Sequence, residues 1–307
     1  MSEGKKRVLV CDSIELEKLA LTNEFQVDFR PAITREELLE TAAGFDVFVI
    51  RSRTRIDAAV LDRATSLKLV ARSGTGLDNV DVEHARLRGV TVVNSPESLV
   101  EAVAEHAILL MLALSRRLTV ADASTKAGRW EKAGLMGTEM KDKTLGIVGL
   151  GRIGQRVGEL ARALGMSVSI YDVVRIPPEV LARLDAKVVG LDDVFASADY
   201  VTLHVPFTQE TRHLVDARRL SLMKRSGFIV NTSRGGIIDE DALARALKSG
   251  ALGGAGLDVF ESEPPSGEIL SAPNTVFTPH IGGQTLEAQE NAVTVIGEKI
   301  RAFFHKS

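Results

Sequence analysis

Residues 144–154 read Thr-Leu-Gly-Ile-Val-Gly-Leu-Gly-Arg-Ile-Gly, and no other stretch of the chain says more about its fold. The first five residues suit a buried strand, and apolar residues at helical spacing continue from 153 to 164. A strand, a G-x-G-x-x-G turn and a helix in this order are typical of a dinucleotide-binding unit. In such a unit Gly149 permits the tight turn, Gly151 lets the backbone approach a pyrophosphate, and Gly154 lets the helix press against the strand.

The predicted strand after this helix, 167–171, ends at Asp172, which lies 18 residues beyond the last glycine of the turn. A carboxylate there accepts hydrogen bonds from both ribose hydroxyls of an adenosine and repels a 2′-phosphate. The sequence therefore favours NAD over NADP as cofactor, while Arg175 nearby keeps some use of NADP open. The helix begins with Arg152 and Ile153, and its free N–H groups and dipole are expected to hold the phosphates.

Short apolar runs alternate with helical patterns along nearly the whole chain. Ten of these runs are predicted strands: Arg7–Val10, Val47–Ile50, Lys68–Ala71, Thr91–Val93, Thr144–Val148, Ser167–Tyr171, Tyr200–His204, Gly227–Asn231, Gly254–Asp258 and Thr275–Thr278. Near-continuous apolar strands that alternate with helices predict parallel sheets covered by helices on both faces. The predicted fold class is therefore α/β, with doubly wound parallel sheets.

The predicted strands form two groups, four before a long helix that starts near Ser98 and six after it. Ser98 and Glu101 have the spacing of an S-x-x-E capping box, which marks the start of that helix. A second long helix, Leu286–Phe304, closes the chain and is expected to pack back on the first group. We therefore expect a discontinuous domain, 1–97 plus 285–307, and a second domain, 98–284.

The composition is that of an ordinary soluble globular protein, since 45% of the 307 residues are hydrophobic and 26% are charged. A formal net charge of −3 gives no general attraction to nucleic acid or membranes, so neither is an expected partner. The single cysteine, Cys11, rules out an intramolecular disulfide and a multi-cysteine site, and no metal is expected. The short polar start, Met1–Lys6, and the lack of a long apolar segment predict a cytoplasmic protein without a signal peptide.

Three of the predicted strands end next to a reactive side chain. Arg234 follows the eighth strand, Glu263 the ninth and His280 the tenth. Because ligands bind at the carboxyl ends of parallel strands, these side chains are expected to converge where the glycine turn holds the cofactor. Taken singly, each has an ordinary alternative, such as an ion pair or a solvated loop residue. Together, beside a dinucleotide-binding turn, they indicate an active site.

The three residue types suit hydride transfer between a 2-hydroxy acid and NAD. A histidine can exchange the hydroxyl proton because it titrates near neutral pH, and a neighbouring carboxylate fixes its tautomer. An arginine can hold the substrate carboxylate and polarise the carbonyl, because it is permanently charged and has forked donors. The predicted roles are acid/base for His280, its partner for Glu263 and substrate clamp for Arg234. Four other histidines are predicted to be packing or surface residues: His84, His106, His213 and His305.

With these residues the chain resembles the D-isomer-specific 2-hydroxyacid dehydrogenases, and within that family the D-3-phosphoglycerate dehydrogenases most closely. The resemblance covers essentially the whole chain. It rests on ordered motifs: Arg72–Asp81, Gly128–Glu131, the glycine turn, His204–Pro206, Asn231–Gly236, Leu257–Phe260, Glu263-Pro264 and Pro279–Gly282. The family fold implies a Rossmann NAD-binding domain and a smaller flavodoxin-like substrate domain that acts as a hinged lid. It also implies a homodimer, with Ala113 to about Gly137 in the arm and interface region.

The resemblance also implies roles residue by residue. Arg234, Glu263 and His280 match the family's catalytic residues. Asp258 matches the aspartate that holds the nicotinamide carboxamide. Further cofactor contacts are implied for a set near the adenosine, the nicotinamide and the turn: His204, Val205, Pro206, Thr211, Thr232, Ser233, Val103 and Gly283. The backbone of one loop matches the segment that takes the substrate carboxylate: Ser73 and Gly74.

The identity of the substrate depends on extra positive charge. Arg51 and Arg53 follow one strand of the first domain, and Arg72 follows the next. Lys132 is placed to reach across a dimer. Because arginine forks grip phosphate well, these residues indicate a phosphorylated substrate, although solvated surface charges remain the alternative. The implied reaction is the NAD-dependent oxidation of D-3-phosphoglycerate to 3-phosphohydroxypyruvate, the first oxidation towards serine.

Other functions stay open at this point. One is a glycerate dehydrogenase or a glyoxylate/hydroxypyruvate reductase, because residues 96–102 lack the asparagine of the phosphoglycerate pattern. Another is an NAD-sensing corepressor-like binding protein of the same fold. Formate dehydrogenase is a weaker rival, since that enzyme has glutamine where this chain has Glu263. The sequence ends at Ser307, so neither a C-terminal regulatory domain nor feedback control by serine through one is expected.

Overall fold

The computed structural model describes residues 5–21 and 23–305. The chain divides into two compact units. Unit 1 comprises Met1–Leu99 and Gln284–Ser307, and unit 2 comprises Val100–Gly283. These boundaries lie within two residues of those expected from the sequence, 97/98 and 284/285. Residues 1–4, on which the prediction about a signal peptide partly rests, lie outside the described residues.

Unit 1 is built on a five-stranded parallel sheet. Its strands and helices are, in chain order, β1 (Lys6–Val10), α1 (Leu16–Leu19), β2 (Phe25–Phe29), α2 (Arg35–Thr41), β3 (Val47–Ile50), α3 (Ala58–Arg63), β4 (Leu69–Arg72), α4 (Val82–Leu87) and β5 (Thr91–Asn94). The order β2-β1-β3-β4-β5 is doubly wound and of the flavodoxin type. The strand order reverses between β1 and β3, so Cys11 and Arg51 begin the loops at the point where such sheets bind ligands. The thiol of Cys11 is fully buried there.

The C-terminal helix, Leu286–His305, packs on one face of this sheet. Its Val293, Ile296 and Ile300 are buried among side chains of β1, β3 and β4, while α2, α3 and α4 cover the other face. A side chain at Gly297 would overlap the backbone oxygen of Leu19, so this helix lies directly against the end of α1. Neither it nor any other helix among residues 5–21 and 23–305 is both long and apolar enough to cross a membrane.

Unit 2 contains a seven-stranded parallel sheet. Its elements are α5 (Val100–Ser115), α6 (Leu118–Lys126), β6 (Thr144–Val148), α7 (Arg152–Ala163), β7 (Ser167–Tyr171), α8 (Pro178–Leu184), β8 (Ala186–Val188), α9 (Leu191–Ser197), β9 (Tyr200–Leu203), α10 (Ala217–Leu222), β10 (Phe228–Asn231), α11 (Glu240–Lys248), β11 (Gly254–Leu257) and β12 (Thr275–Phe277). The order β12-β11-β10-β9-β6-β7-β8 is that of a Rossmann sheet with one added strand. Its order reverses between β6 and β9, where the glycine turn begins.

Helices cover both faces of the unit 2 sheet. One face is buried under α5, α7 and α8, and the other under α9, α10 and α11. Strands buried on both sides need apolar residues at nearly every position, which explains the continuous runs in the sequence. With both faces closed, the loops at the carboxyl ends of the strands are the place for a ligand.

Two strands, β2 and β8, are absent from the sequence-based prediction, so five and seven strands replace the expected four and six. Both are edge strands, and both mix polar with apolar residues, in Phe-Gln-Val-Asp-Phe and Ala-Lys-Val. Only Phe25 of these eight residues is buried. A run of apolar residues identifies strands that are covered on both faces, and therefore misses edge strands as exposed and polar as β2 and β8.

The start of α5 also corrects the prediction, because the two residues expected to form a capping box have other partners. Ser98 Oγ donates to the backbone oxygen of Ser95 at 2.6 Å, and the helix begins at Val100. The Glu101 carboxylate accepts two hydrogen bonds from the Arg156 guanidinium, both at 2.7 Å. These bonds hold the pKa of Glu101 below its ordinary value and tie the first turn of α5 to α7.

Candidate active site

The glycine turn joins the end of β6 to the first turn of α7. Gly149 has a φ of 93°, and an added Cβ would lie 2.6 Å from the backbone oxygen of His204. A Cβ at Gly154 would overlap the backbone oxygen of Gly149, so helix and strand touch there. At Gly151, in contrast, no atom of the described residues lies within 4 Å of an added Cβ. The turn therefore leaves open space above Gly151, at a helix N-terminus where a pyrophosphate fits.

Asp172 holds the glycine turn from the end of β7. Its Oδ2 accepts a hydrogen bond from the Leu150 N–H at 2.6 Å, and its Oδ1 accepts one from the Val174 N–H at 2.8 Å. A carboxylate has about four acceptor positions, so lone pairs remain for ribose hydroxyls. Val173 beside it is 87% exposed, which is unusual for valine and gives an apolar surface next to the carboxylate. This donor and acceptor set fits the adenosine end of NAD.

Two polar side chains lie at the carboxyl ends of the neighbouring strands β9 and β10. The buried Oγ1 of Thr232 has no hydrogen-bond partner among the described residues. His204 follows β9, and its Nε2 lies 3.0 Å from Thr202 Oγ1. Burial lowers the pKa of His204 to about 4, so its imidazole is neutral at pH 7. A buried hydroxyl without a partner and an uncharged imidazole suit a ligand that brings its own polar groups.

The loop after His204 is fixed by one threonine. Thr211 Oγ1 donates to the Pro206 backbone oxygen at 2.6 Å and accepts from the Thr208 N–H at 2.7 Å. Val205 packs on the hydrophobic cluster under α9 to α11. The loop that is expected to flank the adenosine is therefore held by hydrogen bonds and packing of its own residues.

His280 and Glu263 are hydrogen-bonded to each other. The imidazole Nδ1 lies 2.8 Å from Oε2 and 3.0 Å from Oε1 of the carboxylate. Because an ionised carboxylate can only accept, Nδ1 carries the hydrogen and Nε2 is left to exchange a proton. The two side chains are 48% and 41% exposed, so a substrate can reach the imidazole.

The backbone around His280 is held by Asp258. His280 has a φ of 54°, in the left-handed region that residues other than glycine rarely adopt. Its N–H donates to the backbone oxygens of Asp258 at 2.8 Å and Thr278 at 3.0 Å. The N–H groups of Ile281 and Gly282 donate to the Asp258 carboxylate, each at 2.8 Å. Asp258 thus fixes the chain on both sides of the imidazole, which keeps the strained conformation in place.

Arg234 follows β10, the neighbour of the strand that leads to Glu263. Asn231 builds its loop: Nδ2 donates to the Arg234 backbone oxygen at 2.8 Å, and Oδ1 accepts from the Ser233 N–H at 3.0 Å. A Cβ at Gly235 would overlap the backbone oxygen of Phe260, so the loops after β10 and β11 touch. The structure therefore places the loops of all three predicted catalytic residues at adjacent strand ends.

Comparison with known proteins decides the family. A family model described as D-isomer specific 2-hydroxyacid dehydrogenase, NAD binding domain, matches residues 108–282. The chain belongs to this family. Unit 2 is its NAD-binding domain, and NAD is the cofactor.

The relatives of this family member are named for different substrates. A D-3-phosphoglycerate dehydrogenase from Methanocaldococcus jannaschii is 42% identical over 298 residues, which are 96% of this chain and 57% of that protein. The chain thus spans little more than half of that relative. A hydroxypyruvate reductase from Thermotoga maritima is 43% identical over 288 residues, 92% of this chain and 90% of that protein. The solved structure of a glyoxylate reductase from Paecilomyes thermophila, 31% identical, has a TM-score of 0.90 and covers 97% of this chain and 95% of its own.

Two carboxylates without a sequence-based prediction, those of Glu240 and Glu261, tie the Glu263 loop to α11. The Glu261 N–H donates to Glu240 Oε1 at 2.6 Å, and the Glu240 N–H donates to Glu261 Oε1 at 3.2 Å. His213 Nε2 lies 3.1 Å from Glu261 Oε1. Burial and the nearby charges of Glu261 and Glu263 raise the pKa of Glu240, against the effect of its backbone hydrogen bond. The only signal in the sequence is the acidic spacing at 261 and 263.

His106 has polar partners, against the prediction of a packing or surface role. It is 9% exposed, and its Nε2 lies 2.9 Å from Thr278 Oγ1 and 3.4 Å from Asp258 Oδ1. Thr278 Oγ1 in turn donates to Asp258 Oδ1 at 2.6 Å. Burial would raise the pKa of Asp258, but hydrogen bonds from His106, Thr278 and two backbone N–H groups hold it below its ordinary value. The available signal was a histidine within the otherwise apolar face of α5.

Two further residues with an implied cofactor contact are Val103 and Gly283. Val103 is 8% exposed on α5, and a Cβ at Gly282 would lie 3.8 Å from its Cγ2. Gly283 is the last residue of unit 2. Both therefore lie near the loop that carries His280.

The arginines predicted to bind phosphate have partners within unit 1. Arg51 Nη1 donates to the Ser13 backbone oxygen at 3.2 Å, and Nη2 donates to Gln289 Oε1. Arg53 donates to three backbone oxygens and pairs with one carboxylate: Cys11, Pro31 and Ile33, and Asp12. Both guanidinium groups thus organise the loops at the ends of β1 and β3.

The loop after β4 carries the other predicted substrate contacts. The Ser73 N–H donates to the Ile50 backbone oxygen and the Gly74 N–H to Ser95 Oγ, both at 2.8 Å. A substrate carboxylate held by these two N–H groups would have to replace those acceptors. The hydroxyls of Ser73 and Thr75 are buried and have no hydrogen-bond partner among the described residues. The polar groups of this loop that a substrate could bind are therefore the hydroxyls of Ser73 and Thr75.

Proposed function

We propose that this protein is an NAD-dependent D-2-hydroxyacid dehydrogenase that uses His280 as its acid/base. The observation that carries the proposal is the hydrogen bond between His280 Nδ1 and Glu263, at 2.8 Å, at a strand end of an NAD-binding domain. The bond leaves Nε2 as the atom that exchanges the substrate's hydroxyl proton. Glu263 stabilises the imidazolium that forms, and Arg234 holds the substrate carboxylate with its forked donors.

The residues of unit 2 fit NAD at three places. Gly151 and the first turn of α7 would hold the pyrophosphate, and Asp172 would hold the ribose. Asp258 Oδ2 accepts only one of the bonds described above, from Gly282, so it has room for a carboxamide N–H. The bound cofactor supplies the hydride acceptor or donor. The chain's own residues move the proton, since oxidation of the hydroxyl releases one to Nε2 and reduction of the carbonyl takes one from it.

For the substrate we propose D-3-phosphoglycerate, with unit 1 contributing to its binding. Arg51 and Arg53 follow β3 and Arg72 is the last residue of β4, at the carboxyl ends where doubly wound sheets bind ligands. The orphan hydroxyls of Ser73 and Thr75 belong to the same strand ends. The phosphoglycerate dehydrogenase from M. jannaschii, 42% identical, gives further support.

Hydroxypyruvate is the second candidate, and one observation favours it. Two donor positions of Arg51 and most of those of Arg53 already bond to backbone oxygens, Asp12 and Gln289. Arginines committed in this way are less available to a phosphate. The hydroxypyruvate reductase from T. maritima also matches this chain over 90% of its own length.

A panel of acids decides between them. We expect NADH oxidation to be faster with 3-phosphohydroxypyruvate than with hydroxypyruvate. With either acid, we expect NADH to be oxidised faster than NADPH, because Asp172 repels a 2′-phosphate. Arg51→Ala and Arg72→Ala should each lower kcat/KM for the phosphorylated acid about 10–100-fold, the effect of about 1.5–3 kcal/mol for a bond to a charged group. Arg63→Ala, at the exposed end of α3, is the matched control.

Three outcomes of the panel have separate meanings. A preference for hydroxypyruvate that neither Arg51→Ala nor Arg72→Ala alters would remove the phosphoglycerate proposal and leave the dehydrogenase proposal intact. Turnover of no 2-oxo acid, with NADH still bound, would replace both by an NAD-sensing binding protein. Equal use of NADH and NADPH would contradict the role given to Asp172.

We also propose that the protein is a homodimer through the region Ala113–Gly137. This part of unit 2 and the helix before it expose large apolar side chains, with Trp130 85% and Met136 86% exposed. The others are Leu109, Leu112, Leu118 and Val120. Large apolar side chains exposed in one part of a chain often mark a protein–protein interface. Lys132 lies exposed in the short 3₁₀ turn between Trp130 and Met136, which suits a residue that reaches towards a partner.

Sedimentation of the full chain tests this assembly. The wild type is expected to be a dimer at micromolar concentration, and Leu118→Glu should shift it to monomer because a charge would be buried without a partner. Leu87→Glu changes a leucine of α4 that is 72% exposed and should stay dimeric. A monomeric wild type, or a dimer that Leu118→Glu does not weaken, would contradict the proposed interface.

A further inference from the structure

We propose that His106 is a positioning residue that anchors the loop 278–282 to α5 and so orients the imidazole of His280. This inference rests on the proposed function only for its effect on turnover. Its structural part concerns the protein without cofactor. His106 itself is buried on α5 and contacts the loop through Thr278.

The hydrogen positions in the network follow from its chemistry. Thr278 has one hydroxyl hydrogen and donates it to the Asp258 carboxylate, which has none to give, over 2.6 Å. The Thr278 oxygen can therefore only accept from His106 Nε2, 2.9 Å away. Asp258 Oδ1, 3.4 Å from the same nitrogen, can also only accept. His106 must thus carry its hydrogen on Nε2 and act as a donor.

The donor from His106 completes the support of the His280 loop. Asp258 supplies three oxygens to this loop, one from its backbone and two from its carboxylate, and these accept the N–H groups of His280, Ile281 and Gly282. Among the side chains of the loop, Thr278 also donates to the carboxylate. His106 is the member that comes from α5, so it links the loop and its carboxylate to the helix.

The strained backbone of His280 explains why this link matters. A φ of 54° is unfavourable for a residue with a side chain and persists only where neighbours enforce it. If Thr278 loses its donor, its hydroxyl can turn away from Asp258, and the loop can relax towards an ordinary conformation. The imidazole would then leave its position beside Glu263.

A simple packing role predicts a different pattern of substitutions. His106→Leu fills a similar volume but has no donor, whereas His106→Gln places an N–H donor at nearly the same distance from the backbone as Nε2. If the hydrogen bond is what counts, glutamine rescues and leucine does not. If only volume counts, leucine is at least as good as glutamine, because the surroundings of α5 are apolar.

The first test measures amide hydrogen exchange in the full chain without added cofactor. His106→Leu should speed exchange at Ile281 and Gly282 about tenfold, with His106→Gln close to wild type, because local opening sets the exchange rate. His84→Leu is the control: His84 also lies 2.9 Å from a carboxylate, that of Asp62 in unit 1. Unchanged exchange in His106→Leu, or equal acceleration by leucine and glutamine, would overturn the inference.

The second test measures turnover with the best acid of the panel. His106→Leu should lower kcat about tenfold with KM for the acid within about twofold, and His106→Gln should restore most of it. In a Thr278→Val background, His106→Leu should add little, since both changes break the same link. Additive losses would contradict the link through Thr278.

The two tests fail separately. Should no acid be turned over while the exchange rates follow the expected pattern, the proposed function falls and the positioning role stands. Should turnover be normal in His106→Leu, the positioning role falls and the proposed function stands. His106→Gln and Thr278→Val remain informative even if His106→Leu does not fold.

Discussion

Replacement of His280 by alanine is expected to lower kcat about 10²–10⁴-fold, the usual contribution of a general acid/base, while the Kd for NADH changes little. The imidazole is the group placed to exchange a proton, because Glu263 occupies Nδ1 at 2.8 Å and leaves Nε2 free to react. The surfaces expected to hold the cofactor, at Gly151 and Asp172, do not involve this side chain. Steady-state kinetics and fluorescence titration with NADH measure the two quantities.

Two variants make this result specific. Glu263→Gln should lower kcat less than the loss of the imidazole, because the amide oxygen still accepts from Nδ1 but carries no charge to stabilise the imidazolium. His84→Ala removes a histidine that also contacts a carboxylate, in unit 1, and should leave kcat unchanged. A His280→Ala protein with wild-type kcat would reject the acid/base role outright.

Replacement of Gly151 by valine is expected to weaken NADH binding at least about 100-fold, or about 2.7 kcal/mol, without unfolding the protein. No atom of the described residues lies within 4 Å of a Cβ at this position, and its φ of −68° suits any residue. The new side chain would therefore meet only the incoming pyrophosphate. Isothermal titration with NADH and thermal unfolding without it measure the two effects.

Gly154→Ala is the matched comparison in the same turn. Its Cβ would overlap the backbone oxygen of Gly149, so we expect it to lower the stability of the cofactor-free protein by about 1–3 kcal/mol. The two glycines thus separate a requirement of the ligand from a requirement of the fold. Normal NADH affinity in Gly151→Val would mean that the cofactor phosphates lie elsewhere.

The central strands and the glycine turn can be predicted from the sequence with little error. Strands Val47–Ile50, Thr144–Val148 and Ser167–Tyr171 have the bounds predicted for them, because the central residues of each are buried and most of its residues are apolar. The edge strands β2 and β8 are missed by the same rule, since most of their side chains are exposed or only partly buried. Burial by the finished sheet, which the local sequence does not record, makes this difference.

The candidate site also has a part that the sequence predicts and a part that it does not. Glu263 and His280 were predicted as a pair from strand ends, because parallel strands bring their carboxyl ends to one margin whatever the loop lengths. The partners of His106 and Arg51 could not be predicted, since they come from residues far apart in the chain, such as Thr278 and Gln289. A polar side chain on an apolar helix face shows that a partner is needed, but only the packed structure shows which.

The burial of Cys11 has a practical consequence. It is the single thiol of the chain and follows β1 with no exposed surface. Burial raises its pKa far above the ordinary value. A thiolate is needed for alkylation, so maleimides should react with the native protein only as fast as unit 1 opens. The wild-type background is thus already suited to spectroscopic labels attached at newly introduced cysteines.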